Sequence, residues 1–214
     1  MNLIEKYEPK GFDDLIFGNT KTQARLSQYA HGTRTKSLIL HGPFGTGKST
    51  AARVIAAERS VYRATDTVLF YDGCDFDSGD LKALKIEFLV KLDDMFEGVD
   101  PHPVAVIDEV DQVKRKDQEK LRSLIDKVKG GATLIMTTNH LHRVDHALVH
   151  RCDVVELPSI EPETYLDFAR SIADAEGLAV TDERLLAILE KSDGSTREVI
   201  ASLEDLALGL KEAA

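Results

Sequence analysis

Eight consecutive residues constrain this chain more than any others. Gly42-Pro43-Phe44-Gly45-Thr46-Gly47-Lys48-Ser49 fills every fixed position of the spacing G-x-x-x-x-G-K-S/T. An apolar run, Leu38-Ile39-Leu40, precedes it, and a helical pattern follows from Thr50. Glycines let a backbone turn sharply enough for several N–H groups to face one anion. A helix N-terminus favours negative charge at the same place. In such a loop the Lys48 ammonium reaches the β- and γ-phosphates, and the Ser49 hydroxyl is placed to ligate Mg²⁺. Residues 42–49, with Thr50, are therefore expected to cradle the phosphates of ATP. A glycine-rich turn arising by chance is the competing reading, and it leaves the strand before and the helix after unexplained.

The rest of the chain repeats this alternation. Runs at 37–41, 67–71, 103–107, 133–137 and 153–157 are short, rich in Val, Ile or Leu and nearly uncharged at their centres. Each reads as a parallel strand buried on both faces. Between them, 49–59, 80–96 and 112–129 have helical spacing. Strands alternating with helices imply an α/β fold, doubly wound around a five-stranded parallel sheet. After Leu157 the pattern changes. Pro158 and Pro162 punctuate the chain, and 163–176, 182–191 and 196–208 read as three helices. Thr181 and Ser195 stand at N-cap positions, and Gly177 and Gly194 suit C-terminal caps. The expected division is 1–158 for the α/β core and 159–214 for a small helical lid.

The third run, Val104-Ala105-Val106-Ile107-Asp108-Glu109, ends in two carboxylates. Beside a phosphate loop, such an Asp holds Mg²⁺. The Glu that follows can deprotonate an attacking water. Charge narrows the partners. The chain has 27 basic and 37 acidic side chains, a net of −10. Residues 161–214 hold 13 acids and 5 bases, so 1–160 hold 24 and 22. The first part is thus near neutral and can carry a basic face, while indiscriminate nucleic-acid binding is disfavoured. Within 114–129 seven basic residues stand against three acidic ones. Two cysteines, Cys74 and Cys152, make no disulfide framework. No basic n-region leads into an apolar core at the start, and no apolar run approaches the ~20 residues of a membrane span. The expectation is a cytoplasmic chain with no membrane contact, in a host cytoplasm if phage-encoded.

These motifs, with others between them, resemble AAA+ ATPases of the clamp-loader type, the replication factor C small subunits and their phage counterparts. The resemblance runs over residues 3–200. Glu5-Lys6-Tyr7-Glu8-Pro9 and Phe12-Asp13-Asp14-Leu15-Ile16 are similar to the segment that packs around adenine in that family, although Glu8 stands where Arg is usual. Tyr7 and Ile16 are the implied adenine contacts; on the residues alone, an apolar staple explains them as well. Tyr71-Asp72-Gly73-Cys74-Asp75 resembles the family's short polar motif after the second strand. Asn139, closing Thr137-Thr138-Asn139, falls at the sensor-1 position, where its amide meets the γ-phosphate or the lytic water. By itself it also reads as a strand-end cap.

Arg151, in His150-Arg151-Cys152, resembles the finger that enters a neighbouring subunit's ATP site, with His150 in place of the family's Ser. Arg197, in Gly194-Ser195-Thr196-Arg197, resembles sensor 2. The resemblance also implies that Lys114, Arg115 and Lys116 face the DNA backbone, and that Gln118 links neighbouring sites. The competing reading is a solvated helix with pairs such as Arg122–Asp126. Four histidines, at 140, 142, 146 and 150, read as solvated loop residues rather than a metal site. Implied partners are other AAA+ subunits, a sliding clamp, and primed or double-stranded DNA. The family's helical collar domain is expected to be lacking here, by truncation or in a minimal relative, so assembly would rest on the AAA+ faces and weak, nucleotide-dependent oligomers are expected. A nucleotide-binding stator that hydrolyses little, or another DNA-remodelling AAA+ ATPase, are the competing functions.

Overall fold

A computed structural model describes residues 2–62, 68–94 and 102–209. Thr67 of the expected second strand, positions 95 and 96 of an expected helix, and 210–214 of the expected lid lie outside them. The five parallel strands among the described residues are β1 (Leu38–His41), β2 (Val68–Asp72), β3 (Val104–Asp108), β4 (Thr133–Thr138) and β5 (Asp153–Glu156). Their spatial order is β2-β3-β4-β1-β5. The register pairs Leu38 with Ile135 on one side and with Asp153 on the other.

Period-two alternation explains why the central strands are apolar throughout. Leu38, Leu40, Val104 and Val106 face one layer, with Leu26, Tyr29, Ala52 and Ile55 from α2 (Thr20–Ala30) and α3 (Lys48–Tyr62). Ile39, Ala105, Ile107, Leu134 and Met136 face the other, with Leu84 and Phe88 of α4 (Ser78–Asp94) and Leu121 and Leu124 of α5 (Arg115–Val128). Burying each Val, Leu, Ile, Phe or Met side chain here contributes roughly 1.5–3 kcal/mol, and each Ala less. The outer strands depart from the two-faced burial expected of them. Phe70 on β2 is 50% exposed. The cause is position, since β2 and β5 are the edges of the sheet.

A polar anchor sits at the N-terminal end of the sheet. Asp153 accepts from the Tyr29 hydroxyl at 2.9 Å and Arg34 Nη1 at 2.8 Å, and is paired with Lys36 at 3.1 Å and Arg25 at 3.3 Å. Burial pushes this carboxylate up, and hydrogen bonds from Tyr29, Lys36 and Arg25 more than reverse that, holding it at about 2. The segments before β1 and β5 are thereby tied together.

Short helices frame the core. These are α1 (Leu3–Lys6) and α6 (His146–Val149), with tight turns at Phe12–Asp14, Val110–Gln112 and Leu141–Arg143. The lid comprises α7 (Pro162–Ala175), α8 (Asp182–Lys191) and α9 (Thr196–Ala207). Thr181 and Ser195 cap α8 and α9, accepting from Arg184 N and Glu198 N, and Gly177 and Gly194 adopt positive φ. The lid's apolar cluster takes in Leu3 from the other end of the chain, and the Leu3 N–H donates to Glu204 Oε1 at 3.2 Å.

Candidate functional site

Three loops leave the C-terminal ends of adjacent strands β1, β3 and β4, where open parallel sheets hold ligands. The first is the glycine-rich loop. Gly42, Gly45 and Gly47 take φ of +149°, +79° and +77°, conformations that L side chains rarely adopt. A Cβ at Gly42 would lie 2.1 Å from Leu157 O, and one at Gly45 2.2 Å from Ser195 Oγ. The loop is thus wedged between the end of β5 and the start of α9, and the Thr196 N–H donates to Gly45 O at 3.2 Å. Lys48 is buried. Its ammonium donates to Pro43 O and, at 3.4 Å, to Thr46 Oγ1. Burial lowers its pKa, and the nearby Asp108 and Glu109 charges oppose the shift.

The second loop carries the acids. Ser49 Oγ donates to Asp108 Oδ1 at 2.7 Å, so hydroxyl and carboxylate already meet at the head of the phosphate loop. Both are hard oxygen donors, the chemistry Mg²⁺ takes. With the buried ammonium and the glycine turn beside them, the residues fit a Mg²⁺-bound triphosphate. Glu109 has φ 51° and ψ 50°, left-handed backbone that turns its side chain out of line with the strand. Thr137 on β4 supports both acids. Its Oγ1 donates to Asp108 Oδ1 and accepts from the Glu109 N–H at 3.1 Å. Gly73 lies against this turn, where a Cβ would come within 2.2 Å of Glu109 O. Next to it, Cys74 Sγ donates to Glu109 Oε2 at 3.7 Å.

These groups open onto a cleft of about 330 Å³. Tyr7, Ile16, residues 44–50, Glu109, Asn139 and Arg197 all line it. Gly42, Pro43 and Asp108 are not among the lining residues, although Pro43 O and Asp108 bond Lys48 and Ser49, which are. Other expected residues lie elsewhere. Arg151 precedes β5, at the opposite end of the sheet, where it donates to Asp126 Oδ1 at 2.6 Å and Ala147 O at 2.8 Å. Of the pairs that the competing solvated-helix reading offers, Arg122–Asp126 is replaced as a direct contact by Asp126–Arg151, and Arg122 remains near enough to act on Asp126 by charge alone. Lys114, Arg115 and Lys116 are exposed at the start of α5, with Arg115 reaching Asp145 at 3.3 Å. Gln118 is buried; its amide donates to Val113 O at 2.8 Å and accepts from the Asp145 N–H at 2.7 Å.

A family model described as "ATPase family associated with various cellular activities (AAA)" matches residues 38–159. The chain belongs to the AAA family of ATPases. Among curated proteins, this AAA chain is 26% identical over 201 residues to replication factor C small subunit 1 of Pyrobaculum arsenaticum, covering 94% of this chain and 60% of that protein. It is 28% identical over 213 residues to replication factor C subunit 4 of Caenorhabditis elegans, covering 97% and 63%. The chain thus spans less than two thirds of the length of these relatives. Among solved structures, the Thermotoga maritima RuvB Holliday junction branch migration motor superposes with a TM-score of 0.73 at 19% identity, covering 95% of this chain and 71% of that one. That likeness concerns the AAA fold alone. Among the described residues, no helix is long and apolar enough to cross a membrane.

Sequence reasoning passed over Thr137 and the packing role of Gly73. A threonine in a strand is ordinary, and only the hydroxyl's two partners mark it. Thr137→Val keeps the shape and removes both bonds. ATP turnover in this AAA domain should then fall about tenfold or more, as for other groups that orient metal ligands. Parallel ATP titrations should show affinity nearly unchanged. A turnover equal to that of the parent protein would mean that the hydroxyl does not orient the acids.

Proposed function

We propose that this chain is an ATP-hydrolysing subunit of a DNA-replication clamp loader, placing a sliding clamp on primed DNA as part of an oligomer of AAA+ subunits. The observation that carries this reading is the convergence of Lys48, Ser49, Glu109, Asn139 and Arg197 on one cleft, while Arg151 stands at the far end of the sheet. The relatives named as replication factor C subunits support the same work.

In this reading Tyr7 and Ile16 hold the adenine, and residues 42–50 hold the phosphates. Ser49 and Asp108 hold Mg²⁺, which neutralises phosphate charge when bound. The Glu109 carboxylate takes the proton of the attacking water. The Asn139 amide orients that water or the γ-phosphate, and Lys48 and Arg197 neutralise developing charge. Residues 1–158 form the core and 159–214 the lid, with α1 riding on the lid. Arg151 completes the site of a neighbour. A stator with little hydrolysis is disfavoured because every one of these groups is retained.

Lys114, Arg115 and Lys116 occupy the N-cap and first two positions of α5. Cations there oppose the helix dipole, which weakens the helix and strengthens binding of an anion. DNA phosphates are that anion in this proposal. The test is ATP turnover with and without primed DNA and a sliding clamp. DNA should raise turnover, and the triple Ala variant at 114, 115 and 116 should lose the rise. Its DNA affinity should also depend less steeply on salt, by roughly 0.9 in logarithmic slope per contact removed. Turnover indifferent to DNA and clamp would defeat the clamp-loader reading and leave the ATPase.

A further inference from the structure

Glu176 is the C-cap of α7. A carboxylate at that end opposes the helix dipole, and the last turn of α7 has no basic residue to offset it. The side chain is nevertheless only 8% exposed. Its partners come from the other end of the chain. Lys6 Nζ and the Tyr7 hydroxyl each donate to Glu176 Oε1 at 2.6 Å. The bond from Lys6, then that from Tyr7, lower the Glu176 pKa, and the bond to Glu176 raises the pKa of both donors. Tyr7 in turn lines the cleft beside Ile16, while packing against the lid's apolar cluster. A carboxylate opposed by the dipole and covered by its neighbours costs free energy unless it is paired, and Lys6 and Tyr7 are its partners.

We infer that Glu176 is a positioning residue for the nucleotide base, fixing the Tyr7 ring in the cleft wall and tying the base-binding segment to the lid. The inference rests on the reading that the cleft holds a nucleotide. Free rotation of Tyr7 would take away one wall of the base pocket, and its ordering would then be an entropic cost of every binding event. With the hydroxyl held, that ordering is already in place in the folded chain. The phosphate end is a separate matter. Among the described residues, no hydrogen bond or ion pair joins the glycine loop, Lys48 or Ser49 to Glu176, whose bonds go to Lys6 and Tyr7, so a ligand lacking a base is indifferent to it.

That separation supplies the experiment. Calorimetric titration of the full chain with ATP and with inorganic tripolyphosphate, each with Mg²⁺, compares a ligand that has a base with one that has none. Glu176→Ala should weaken ATP about tenfold and leave tripolyphosphate unchanged. Tyr7→Phe should weaken ATP similarly, and the double variant should lose little more. Glu176→Gln keeps an acceptor for the tyrosine and should bind ATP within about twofold of the parent protein. Equal weakening of both ligands by Glu176→Ala would overturn the inference, because the carboxylate would then only hold the lid. Unchanged ATP affinity in Glu176→Ala or in Tyr7→Phe would overturn it as well. A parent protein that binds neither ligand would instead defeat the nucleotide reading of the cleft.

Discussion

Replacing Glu109 by Gln should cut ATP turnover by about a hundredfold to ten-thousandfold while ATP affinity stays within about twofold, because general-base catalysis is worth that much and contributes to the chemical step alone. The amide keeps the size of the side chain and an oxygen that can accept from Cys74 Sγ, but it takes no proton at neutral pH. Nothing else in the site has to move. The backbone N–H of residue 109 still meets Thr137 Oγ1, and Asp108 still meets Ser49. Phosphate release at saturating ATP, set beside a binding titration, separates the two quantities. A variant that turns over normally would remove Glu109 from the chemistry. A variant that fails to bind would show that the carboxylate holds the phosphate loop together rather than activating water. The comparison with Thr137→Val orders the two contributions, since the threonine hydroxyl bonds both acids while itself lining the cleft.

The readable parts of this molecule were the contiguous ones. The glycine loop is legible because its chemistry sits in eight adjacent residues, whose spacing follows from the need to wrap an anion. The strands fell within a residue or two of their expected ends because central parallel strands are apolar on both faces. What the sequence concealed depends on which elements become neighbours. Exposure of β2 and β5 follows from the strand order, and the period of a strand carries no information about its place in a sheet. The Thr137 hydroxyl is one of many in β-strands, and its partners sit 28 and 29 positions away. Leu3 and Glu204 are 201 positions apart, and Tyr7 and Glu176 are 169 apart. No local pattern signals such pairs. Helical spacing offers Asp126 a partner in Arg122 only under the competing solvated-helix reading, and the residue it bonds, Arg151, comes from the loop between α6 and β5.

That displacement bears on the second large effect. Arg151→Ala should lower turnover of the assembled protein about a thousandfold, the lower bound of what an arginine finger supplies, while each isolated chain binds ATP as before. The argument is geometric. Asp153 pairs with Leu38 at the start of β1, whereas the phosphate loop begins after His41, so a strand of four residues, about 13 Å, separates Arg151 from its own loop. The guanidinium is therefore far from its own phosphate loop, and in the proposed function it serves a neighbour's. In the single chain it rests on Asp126 and Ala147 O, partners that a γ-phosphate would have to displace. Mixing gives the decisive measurement. Arg151→Ala keeps an intact phosphate loop, and Lys48→Ala keeps an intact finger; each alone should be nearly inactive, and together they should recover a measurable share of turnover. Parent turnover per chain should also rise with protein concentration, a rise that Arg151→Ala should lack. If the two variants assemble together and stay inactive, or if parent turnover per chain is flat with concentration, Arg151 does not act across an interface.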